Sequence, residues 1–544
     1  MEWSLPGAYD VIGAAAPDRE ALVWQKTRRT YAEVARRTRS LAAFFSQRGI
    51  GLRRERAALE RWECGQAPVA LLLYNCPEYI EAMYGCYRAR AVPFNVNQHY
   101  RAAEMQSLLD MLGAEAAVYQ RALGPLLAEA TAGRSLVLVD VDDGSGVAPL
   151  PGSTAFEEAA SAGVSAELPA PSPDDLYLVC TGGTTGSPKG VLWRQADIFV
   201  SGMAGAGIAS HESLAAKAAA GGSVWFAAPP LMHAASQWTA FSALHGGGTV
   251  VLHDDSAPFD ARAILETVAR ERVNLMSIVG DAFASRLIEE LRTRSYDLSS
   301  LQTLATGGAT TSEACKQALF ERIPHVTIVD GYGASETGGM AYGATRSGAR
   351  SRGFAPAAGA AVLSADRSRF LAPGDDETGW TARRGAVPLG YLGDRKKTEE
   401  TFPVVGGERV AVPGDRARLA PDGAIVLLGR DSLVVNSGGE KVFVEEVEEA
   451  LRGHPEVVDA LVVGRPSERF GEEVVGIVQL RRGVEIDPHA LREFAAKSIA
   501  RFKAPRAIAF CDRIRRHASG KADYTWARSV AVEAVAATRK ADDG

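Results

Sequence analysis

Short apolar runs alternate with helical patterns along most of the first 330 residues, and this alternation constrains the fold most. Residues 68–74 form a continuous apolar run, residues 78–90 follow with helical spacing, and residues 92–96 form the next run. Buried strands joined by helices are typical of parallel sheets, because parallel neighbours need a long crossover. The sequence therefore predicts an α/β fold with doubly wound sheets, whose later strands are the apolar runs at residues 224–228, 249–253, 275–279, 301–306 and 326–330.

Changes in composition divide the chain further. Residues 142–175 are rich in Gly, Ser, Ala and Pro, which indicates a surface connection between two α/β subdomains, at about 1–173 and 174–350. Short strands with Pro and Gly turns over about 351–429 predict a small β-barrel. The remaining residues, 433–544, read as a compact α+β C-terminal domain, which begins with an amphipathic helix and continues as strands.

Helix termini are also readable from the sequence. Residues 31–48 carry apolar residues at helical spacing, and Thr30 precedes them as an N-cap, with Glu33 three residues later. Residues 444–452 place Val444, Val447 and Leu451 on one face and glutamates on the other. Both segments predict helices with one buried face.

Charge and cysteine content exclude several classes of protein. The 544 residues include 60 Lys and Arg against 66 Asp and Glu, a formal charge of −6, so we expect no nucleic-acid binding. The six cysteines are scattered without Cys-x-x-Cys pairs, as in reduced cytoplasmic proteins. The sequence contains no basic leader before an apolar stretch and no apolar window of about 18 residues, so we expect neither a secretion signal nor a membrane span.

Glycine is over-represented, at 55 residues, and several glycines gather in the segment TGGTTGSPKG at residues 181–190. The backbone N–H groups of this loop, its hydroxyls and Lys189 are able to surround phosphate oxygens. The segment is not a Walker loop, because Pro188 precedes the lysine and Gly190 follows it. It predicts a phosphate-binding loop of another kind, with a plain Gly/Thr surface turn as the alternative.

A second glycine-rich segment, DGYGASET at residues 330–337, also follows a predicted strand. Glycines on both sides of Tyr332 allow its ring to lie against a planar ligand, and the hydroxyls of Ser335 and Thr337 are able to donate to phosphate. Glu336 is the kind of oxygen ligand that Mg²⁺ prefers. The alternative is an aromatic residue in a tight turn.

Together these segments resemble the adenylate-forming superfamily of acyl-CoA synthetases, luciferases and peptide-synthetase adenylation domains. The resemblance extends from about Tyr31 to Lys521. Residues 177–199 are most similar to bacterial acyl-CoA synthetases that act on steroid-derived and polycyclic terpenoid acids. The resemblance implies a large N-terminal adenylating domain at residues 1–429, a hinge at 430–432 and a small mobile lid at 433–544.

The resemblance also implies roles in ATP binding. Tyr332 stacks on adenine, Asp415 accepts the ribose hydroxyls, and Arg430 bonds the same ribose. Glu336 holds Mg²⁺, and the loop at 181–189 handles the departing pyrophosphate. The implied ATP- or AMP-binding residues are Thr181, Gly182, Gly183, Thr184, Thr185, Gly186, Lys189, Gly308, Ala309, Asp330, Gly331, Tyr332, Gly333, Ser335, Asp415, Arg430 and Lys441.

In the lid, the resemblance implies Lys521 as a catalytic lysine that bridges the carboxylate and the α-phosphate. Gly438 and Gly439 leave room for the pantetheine arm of CoA, a close approach that only glycine permits. The hinge falls on Ser432, where the family commonly has Asp or Lys. Arg515 stands where the family usually has proline, which puts the stiffness of the Lys521 loop in question.

On the acyl side, His233 resembles the gate between the acyl and CoA tunnels, with a structural histidine after a strand as the alternative. The implied acyl pocket comprises His233, Ala234, Trp238 and Gly307, and its small residues predict a wide cavity suited to a bulky ring system. The catalytic set is then Lys521, Glu336 and His233.

The implied enzyme joins a carboxylic acid to CoA through acyl-AMP, with ATP, Mg²⁺ and CoA, in lipid or terpenoid metabolism. Carrier-protein loading and β-lactone formation are the alternatives. The sequence leaves open the identity of the acid, the choice between monomer and homodimer, and the role of the basic stretch at residues 346–352.

Overall fold

The computed structural model describes residues 1–164, 167–181, 189–349, 353–430, 433–437, 440–467, 471–517 and 521–542. The first elements are α1 (Leu5–Ala15), β1 (Glu20–Trp24), β2 (Thr27–Thr30), α2 (Tyr31–Gln47), β3 (Pro68–Leu72), α3 (Pro77–Arg88), β4 (Val92–Asn95), α4 (Ala102–Leu112), β5 (Ala116–Gln120), α5 (Gly124–Ala130), β6 (Val137–Val141), β7 (Thr154–Ala155) and α6 (Phe156–Ser161).

The middle of the chain contains β8 (Leu176–Thr181), β9 (Lys189–Arg194), α7 (Gln195–Gly202), α8 (His211–Ala220), β10 (Val224–Ala227), α9 (Ala234–His245), β11 (Thr249–Leu252), α10 (Ala261–Arg270), β12 (Leu275–Ile278), α11 (Gly280–Thr293), β13 (Thr303–Gly307), α12 (Glu313–Arg322), β14 (Thr327–Ala334), β15 (Gly338–Thr345) and β16 (Ala355–Pro356).

The last third contains β17 (Ala360–Leu363), β18 (Gly379–Arg383), β19 (Gly390–Tyr391), α13 (Arg395–Thr401), β20 (Val404–Val405), β21 (Glu408–Arg409), β22 (Asp415–Leu419), β23 (Ile425–Arg430), β24 (Val435–Ser437), β25 (Glu440–Val442), α14 (Val444–Arg452), β26 (Val457–Ser467), β27 (Gly471–Leu480), α15 (Pro488–Ala495), β28 (Ala507–Cys511) and α16 (Tyr524–Asp542).

The first sheet is parallel throughout, with strand order β4-β3-β5-β6-β7. Alternate residues of β3 belong to different cores: Val69 and Leu71 pack with α2 and α3, whereas Ala70 and Leu72 pack with α4. Burial on both faces explains the continuous apolar run at residues 68–74. The predicted parallel α/β unit is confirmed here.

The predicted helix after Thr30 is confirmed as α2, which ends one residue earlier than expected, at Gln47. The Thr30 hydroxyl accepts the N–H of Glu33 at 3.2 Å, and the Glu33 carboxylate accepts the N–H of Thr30 at 2.8 Å. This reciprocal pair satisfies two of the N–H groups that a helix terminus leaves unpaired.

The second sheet has nine strands in the order β16-β15-β14-β13-β12-β10-β11-β1-β2. Its central strands are parallel, and the antiparallel strands β15, β16 and β2 lie at the two edges. β1 pairs with β11 through Leu22 and Val250, more than 200 residues apart. The predicted division near residue 173 therefore does not separate two independent sheets.

A three-stranded antiparallel sheet, β19-β9-β8, joins the two large sheets. Tyr177 and Val179 on β8 pack in the core shared with the second sheet, whereas Leu176 and Leu178 pack in the core beneath the first sheet. Thr181 and Lys189 pair across β8 and β9. Thr181 and Lys189 therefore lie at the ends of two antiparallel strands that are packed on both faces.

Two smaller sheets complete the fold. Residues 360–430 contain the four-stranded antiparallel sheet β17-β18-β22-β23, in the region predicted as a small β-barrel. The C-terminal sheet has the order β25-β24-β27-β26, with β28 parallel to β27. α14 and α15 cover one face of this sheet and α16 the other. None of the helices in the described ranges is long and apolar enough to cross a bilayer.

Candidate active site

Several predicted site residues meet around the ring of Tyr391, on the short strand β19. The Tyr391 hydroxyl donates to Oε1 of Glu336 at 2.8 Å, and the Lys189 ammonium lies 5.2 Å from the centre of the Tyr391 ring. The ring thus brings the start of β9 next to the turn that carries Glu336. One cation and one carboxylate therefore lie beside the same aromatic side chain.

Tyr332, Asp415 and Thr381 form a second cluster. The Tyr332 hydroxyl donates to Oδ2 of Asp415 at 2.6 Å and lies 2.9 Å from the Thr381 hydroxyl. Asp415 is buried at the start of β22, and Arg430 is its backbone partner on β23. The predicted adenine-stacking and ribose-binding residues are therefore neighbours, although they are 83 residues apart in the chain.

Asp330 forms an ion pair with Lys316 of α12, with 2.8 Å between Oδ2 and Nζ. Burial raises the pKa of Asp330, while the hydrogen bond and charge of Lys316 oppose this shift. Gly308 follows β13 with φ +77°, a left-handed conformation that favours glycine. Asp330, in the middle of β14, is in register with Thr306 of β13, which directly precedes the 307–309 turn.

The turn between β14 and β15 is fixed from both sides. The indole N–H of Trp193 donates to the Ser335 carbonyl at 2.9 Å. Thr337 is fully buried, where its hydroxyl accepts the Ala334 N–H at 2.9 Å and lies 3.0 Å from the Gly338 carbonyl. The expectation that Thr337 donates to phosphate is therefore wrong, because the turn itself uses this hydroxyl. Ser335 stays half-buried.

His233 is the N-cap residue of α9, whose first turn carries Ala234 and whose second turn carries Trp238. Its Nε2 is buried and has no hydrogen-bond partner among the described residues. Burial first, and then the charges of Lys521 and His99, lower the pKa of His233 to about 4. Lys521, from the C-terminal domain, therefore lies near enough to His233 to act on its charge.

Two polar contacts lie on either side of Lys521 in the chain. The Arg516 guanidinium binds Asp459 through two hydrogen bonds of 2.8 Å. Tyr524 donates to Oε1 of Glu448 at 3.0 Å, and burial raises the pKa of this carboxyl group to about 7. Arg516 and Tyr524 thus anchor the chain to β26 and α14 before and after Lys521, while residues 518–520 lie outside the described residues.

Two asparagines at the carboxyl ends of β3 and β4 were not predicted. The Asn95 side chain accepts the Cys180 N–H at 2.8 Å and donates to the carbonyls of Cys180 at 3.0 Å and Met232 at 2.6 Å. Asn75 accepts the Leu231 N–H at 2.7 Å and donates to the Pro229 carbonyl at 3.3 Å. They tie the start of the phosphate loop and the segment before His233 to the first sheet.

We expect Asn95→Ala to lower the free energy of unfolding by about 3 kcal/mol, because it removes the side-chain partner of one buried and two half-buried backbone groups, at roughly 1 kcal/mol each. The KM for ATP should rise as well, since Cys180 leads into the phosphate loop. Denaturant unfolding and ATP kinetics check this result. Asn97→Ala is the matched control, because the Asn97 side chain accepts only the exposed His99 N–H. Equal effects of the two variants would contradict the role of Asn95.

Some predicted residues lie outside the described part of the chain. For Arg430 and Lys441 the structure describes only the backbone, in β23 and β25. The residues that are not described are Gly182, Gly183, Thr184, Thr185 and Gly186 of the phosphate loop, Ser432 of the hinge, and Gly438 and Gly439 of the implied CoA face.

Comparisons with known proteins agree with this geometry. Residues 11–379 match the AMP-binding enzyme family, and residues 446–521 match the AMP-binding enzyme C-terminal domain. A medium-chain acyl-CoA ligase of Mycobacterium avium is 44% identical over 97% of this chain and 98% of its own length. A 3-oxocholest-4-en-26-oate–CoA ligase of Rhodococcus rhodochrous is 36% identical over 94% of this chain and 93% of its own.

Solved structures support the same fold. A crystal structure of an anthranilate CoA ligase with anthranoyl-AMP superposes with a TM-score of 0.81 at 21% identity, over 98% of each chain. A benzoate CoA ligase of Burkholderia xenovorans gives a TM-score of 0.77 at 20% identity, over 97% of this chain and 100% of that one. From the matched domains and the relatives aligned over nearly their full length, the chain belongs to the family of AMP-binding enzymes.

Proposed function

We propose that this chain is an AMP-forming acyl-CoA synthetase for a bulky hydrophobic carboxylic acid. The acid and ATP give acyl-AMP and pyrophosphate, and CoA then gives the acyl thioester and AMP. The observation that carries the proposal is the meeting of Lys189 and Glu336 at the ring of Tyr391. It brings the predicted phosphate-binding lysine next to the predicted magnesium ligand.

Electrostatic repulsion between the two reactants opposes the first step. A carboxylate that attacks the α-phosphate of ATP brings one anion towards another, so the site must neutralise both and align them. Lys521 would bridge the carboxylate and α-phosphate oxygens. Lys189, beside the Tyr391 ring, would neutralise the outer phosphates as the bond to pyrophosphate breaks. Tyr332 and Asp415 would hold the adenine and ribose, respectively.

A magnesium ion fits Glu336. One carboxylate oxygen accepts a hydrogen bond from the Tyr391 hydroxyl, and no other partner of this carboxylate lies among the described residues. No group of three or more His, Cys, Asp or Glu residues in the described ranges is arranged to hold a metal ion by itself. Mg²⁺ prefers a few carboxylates together with phosphate and water oxygens, so one glutamate beside ATP suffices. When bound, the ion would stabilise the negative charge of the phosphates.

The second step takes place at the carbonyl carbon of acyl-AMP and needs a different protein surface beside it. The acyl-AMP carbonyl is attacked by the CoA thiolate, the bond to AMP breaks, and the thioester remains. We propose that residues 433–544 rotate about residues 430–432, so that the 438–439 segment replaces Lys521. Residues 1–429 would form the stationary adenylating domain. Enclosure between the two domains would protect the mixed anhydride from water.

A panel of carboxylic acids tests the proposal. We expect pyrophosphate release that depends on ATP and on a fused-ring or medium-chain acid, followed by consumption of CoA thiol in a one-to-one ratio with AMP. Pyrophosphate release without CoA consumption would indicate the alternative, an adenylating enzyme that loads a carrier protein or forms a β-lactone. Absence of acid-dependent pyrophosphate release would contradict adenylation itself. Palmitate as the preferred acid would contradict the bulky-ring substrate.

His233 gives a pH-dependent prediction. Its folded pKa of about 4 lies below the ordinary value of 6.5, so the unfolded chain binds a proton between these pH values that the folded chain does not. The free energy of unfolding therefore falls as pH drops from 6.5 towards 4, and this site contributes about 1–3 kcal/mol to the loss. We expect His233→Gln to remove that contribution. Denaturant unfolding of both proteins at pH 4.5 and 7.5 measures it, and a difference between them that is independent of pH would contradict neutral His233.

A further inference from the structure

Three adjacent strands place Gly307, Gly331 and Tyr342 side by side. Gly307 of β13 is in register with Gly331 of β14, and Gly331 is in register with Tyr342 of β15. Residues in register on neighbouring strands point to the same face of a sheet. Because the two glycines have no side chain and the next residue in register, Ala355 of β16, has only a methyl group, Tyr342 supplies the large side chain of this row.

The face that the row occupies follows from the strand alternation. Ala305 and Val329 lie two positions before Gly307 and Gly331 on the same strands, so they point to the same face. In this earlier row, Val329 is in register with Ala305, and Ala305 with Ser277 of β12. Ser277 is in register with Ala227 of β10. Ala227 packs in the same core as Phe241 of α9. The opposite face, which contains Leu304 and Ile328, is covered by α10, α11 and α12. Gly307, Gly331 and Tyr342 therefore lie on the α9 side of the sheet.

The Tyr342 ring fills space that side chains would otherwise occupy. A Cβ atom placed on Gly331 would lie 3.7 Å from Cε1 of Tyr342, and one placed on Gly339 would lie 2.1 Å from its hydroxyl. The strand under the hydroxyl is held by Arg383, whose Nη1 donates to the Gly339 carbonyl at 2.6 Å. Tyr342 is nevertheless 48% exposed. A large aromatic side chain thus lies over a glycine floor with its other side open.

We propose that Tyr342 is a specificity-determining residue for the acyl group and forms the wall on which a flat, fused-ring hydrophobic acid lies. This inference rests on the proposed function, since it takes α9, which starts directly after His233, as the acyl side of the site. Ala305 and Gly307 leave room above the sheet beside the ring of Tyr342, which offers a flat apolar surface. A rigid ring system covers such a surface with less loss of conformational freedom than a flexible chain.

The test compares Tyr342→Ala and Tyr342→Phe with the wild-type enzyme. Pyrophosphate release is measured with cholate as the fused-ring acid and decanoate as the straight-chain acid. We expect Tyr342→Ala to lower kcat/KM for cholate by about tenfold or more, the loss expected when roughly 50 Å² of apolar contact is removed. For decanoate the change should stay within about threefold, as for a surface substitution. Tyr342→Phe keeps the ring and should retain the preference for cholate.

The matched control is Val404→Ala, which truncates another exposed apolar residue, on the β20–β21 hairpin. Val404→Ala should leave kcat/KM unchanged for both cholate and decanoate. The KM for ATP should stay constant in all variants. Equal losses for cholate and decanoate in Tyr342→Ala, or none for either, would overturn the inference. A wild-type enzyme that activates decanoate but not cholate would also overturn it and leave adenylation intact. Absence of acid-dependent pyrophosphate release in the wild-type enzyme would instead contradict the proposed function.

Discussion

Lys521→Ala should lower the rate of acid-dependent ATP–pyrophosphate exchange by about 100-fold or more, the range found when one preorganised donor to a developing charge is removed. The physical reason is that two anions must approach, and in the proposed mechanism the Lys521 ammonium group would lie between them. The rate at which supplied acyl-AMP is converted to thioester should change little, because the thiolate attacks a neutral carbonyl carbon. Exchange of labelled pyrophosphate and thiol consumption measure the two half-reactions separately.

Lys497→Ala is the control for Lys521. Lys497 is exposed in the same domain and lies 5.9 Å from the Phe494 ring, so its removal alters the net charge equally but leaves the site intact. Gly439→Leu is the complementary variant: it should retain exchange and lose thioester formation, since a leucine side chain would obstruct the pantetheine arm. Equal loss of both half-reactions in Lys521→Ala and Gly439→Leu would refute the proposed division between the two faces of the lid.

Glu336→Gln should lower pyrophosphate release by about 10–100-fold and shift its magnesium dependence to higher concentration, because an amide is a weaker ligand for a hard cation than a carboxylate. The variant keeps the shape of the side chain and its contact with the Tyr391 hydroxyl. A titration with MgCl₂ at saturating ATP separates a weaker metal site from a general loss of structure.

Tyr391→Phe is the matched control for Glu336. It removes the hydroxyl that donates to the Glu336 carboxylate but retains the charge and the ring beside Lys189. The loss of this one hydrogen bond should cost less than about tenfold in rate. If Tyr391→Phe were as severe as Glu336→Gln, or if the magnesium dependence of Glu336→Gln matched that of the wild-type enzyme, the carboxylate would not be the metal ligand.

Local sequence signals were reliable where one element decides its own structure. The apolar run at residues 68–74 predicts β3 because a strand buried on both faces must be apolar throughout. Thr30 and Glu33 predict the start of α2 because the reciprocal cap involves only four consecutive residues. The glycine-rich segments were recognisable because a backbone that approaches phosphate or an aromatic ring closely excludes side chains.

The sequence did not predict contacts between residues that are distant in the chain. The motif predicted that the Thr337 hydroxyl donates a hydrogen bond to phosphate. In the folded turn this hydroxyl instead bonds to the backbone of Ala334 and Gly338. Asn95 bonds to residues 85 and 137 positions later, so its role depends on how β4 meets the hairpin and α9. A polar residue at the end of an apolar run was the only sequence signal for it, and many surface turns give the same signal.

By itself, the sequence determined the alternation of strands and helices, the glycine-rich loops and the types of chemical group available. These depend on periodicity, capping and backbone freedom, which act over a few residues. Only the tertiary structure decided which groups meet: Tyr391 with Glu336, Tyr332 with Asp415, and Tyr342 with the glycine floor. The reason is that sheet register and domain packing bring these residues together, and both result from the burial of apolar surface along the whole chain rather than from any one segment.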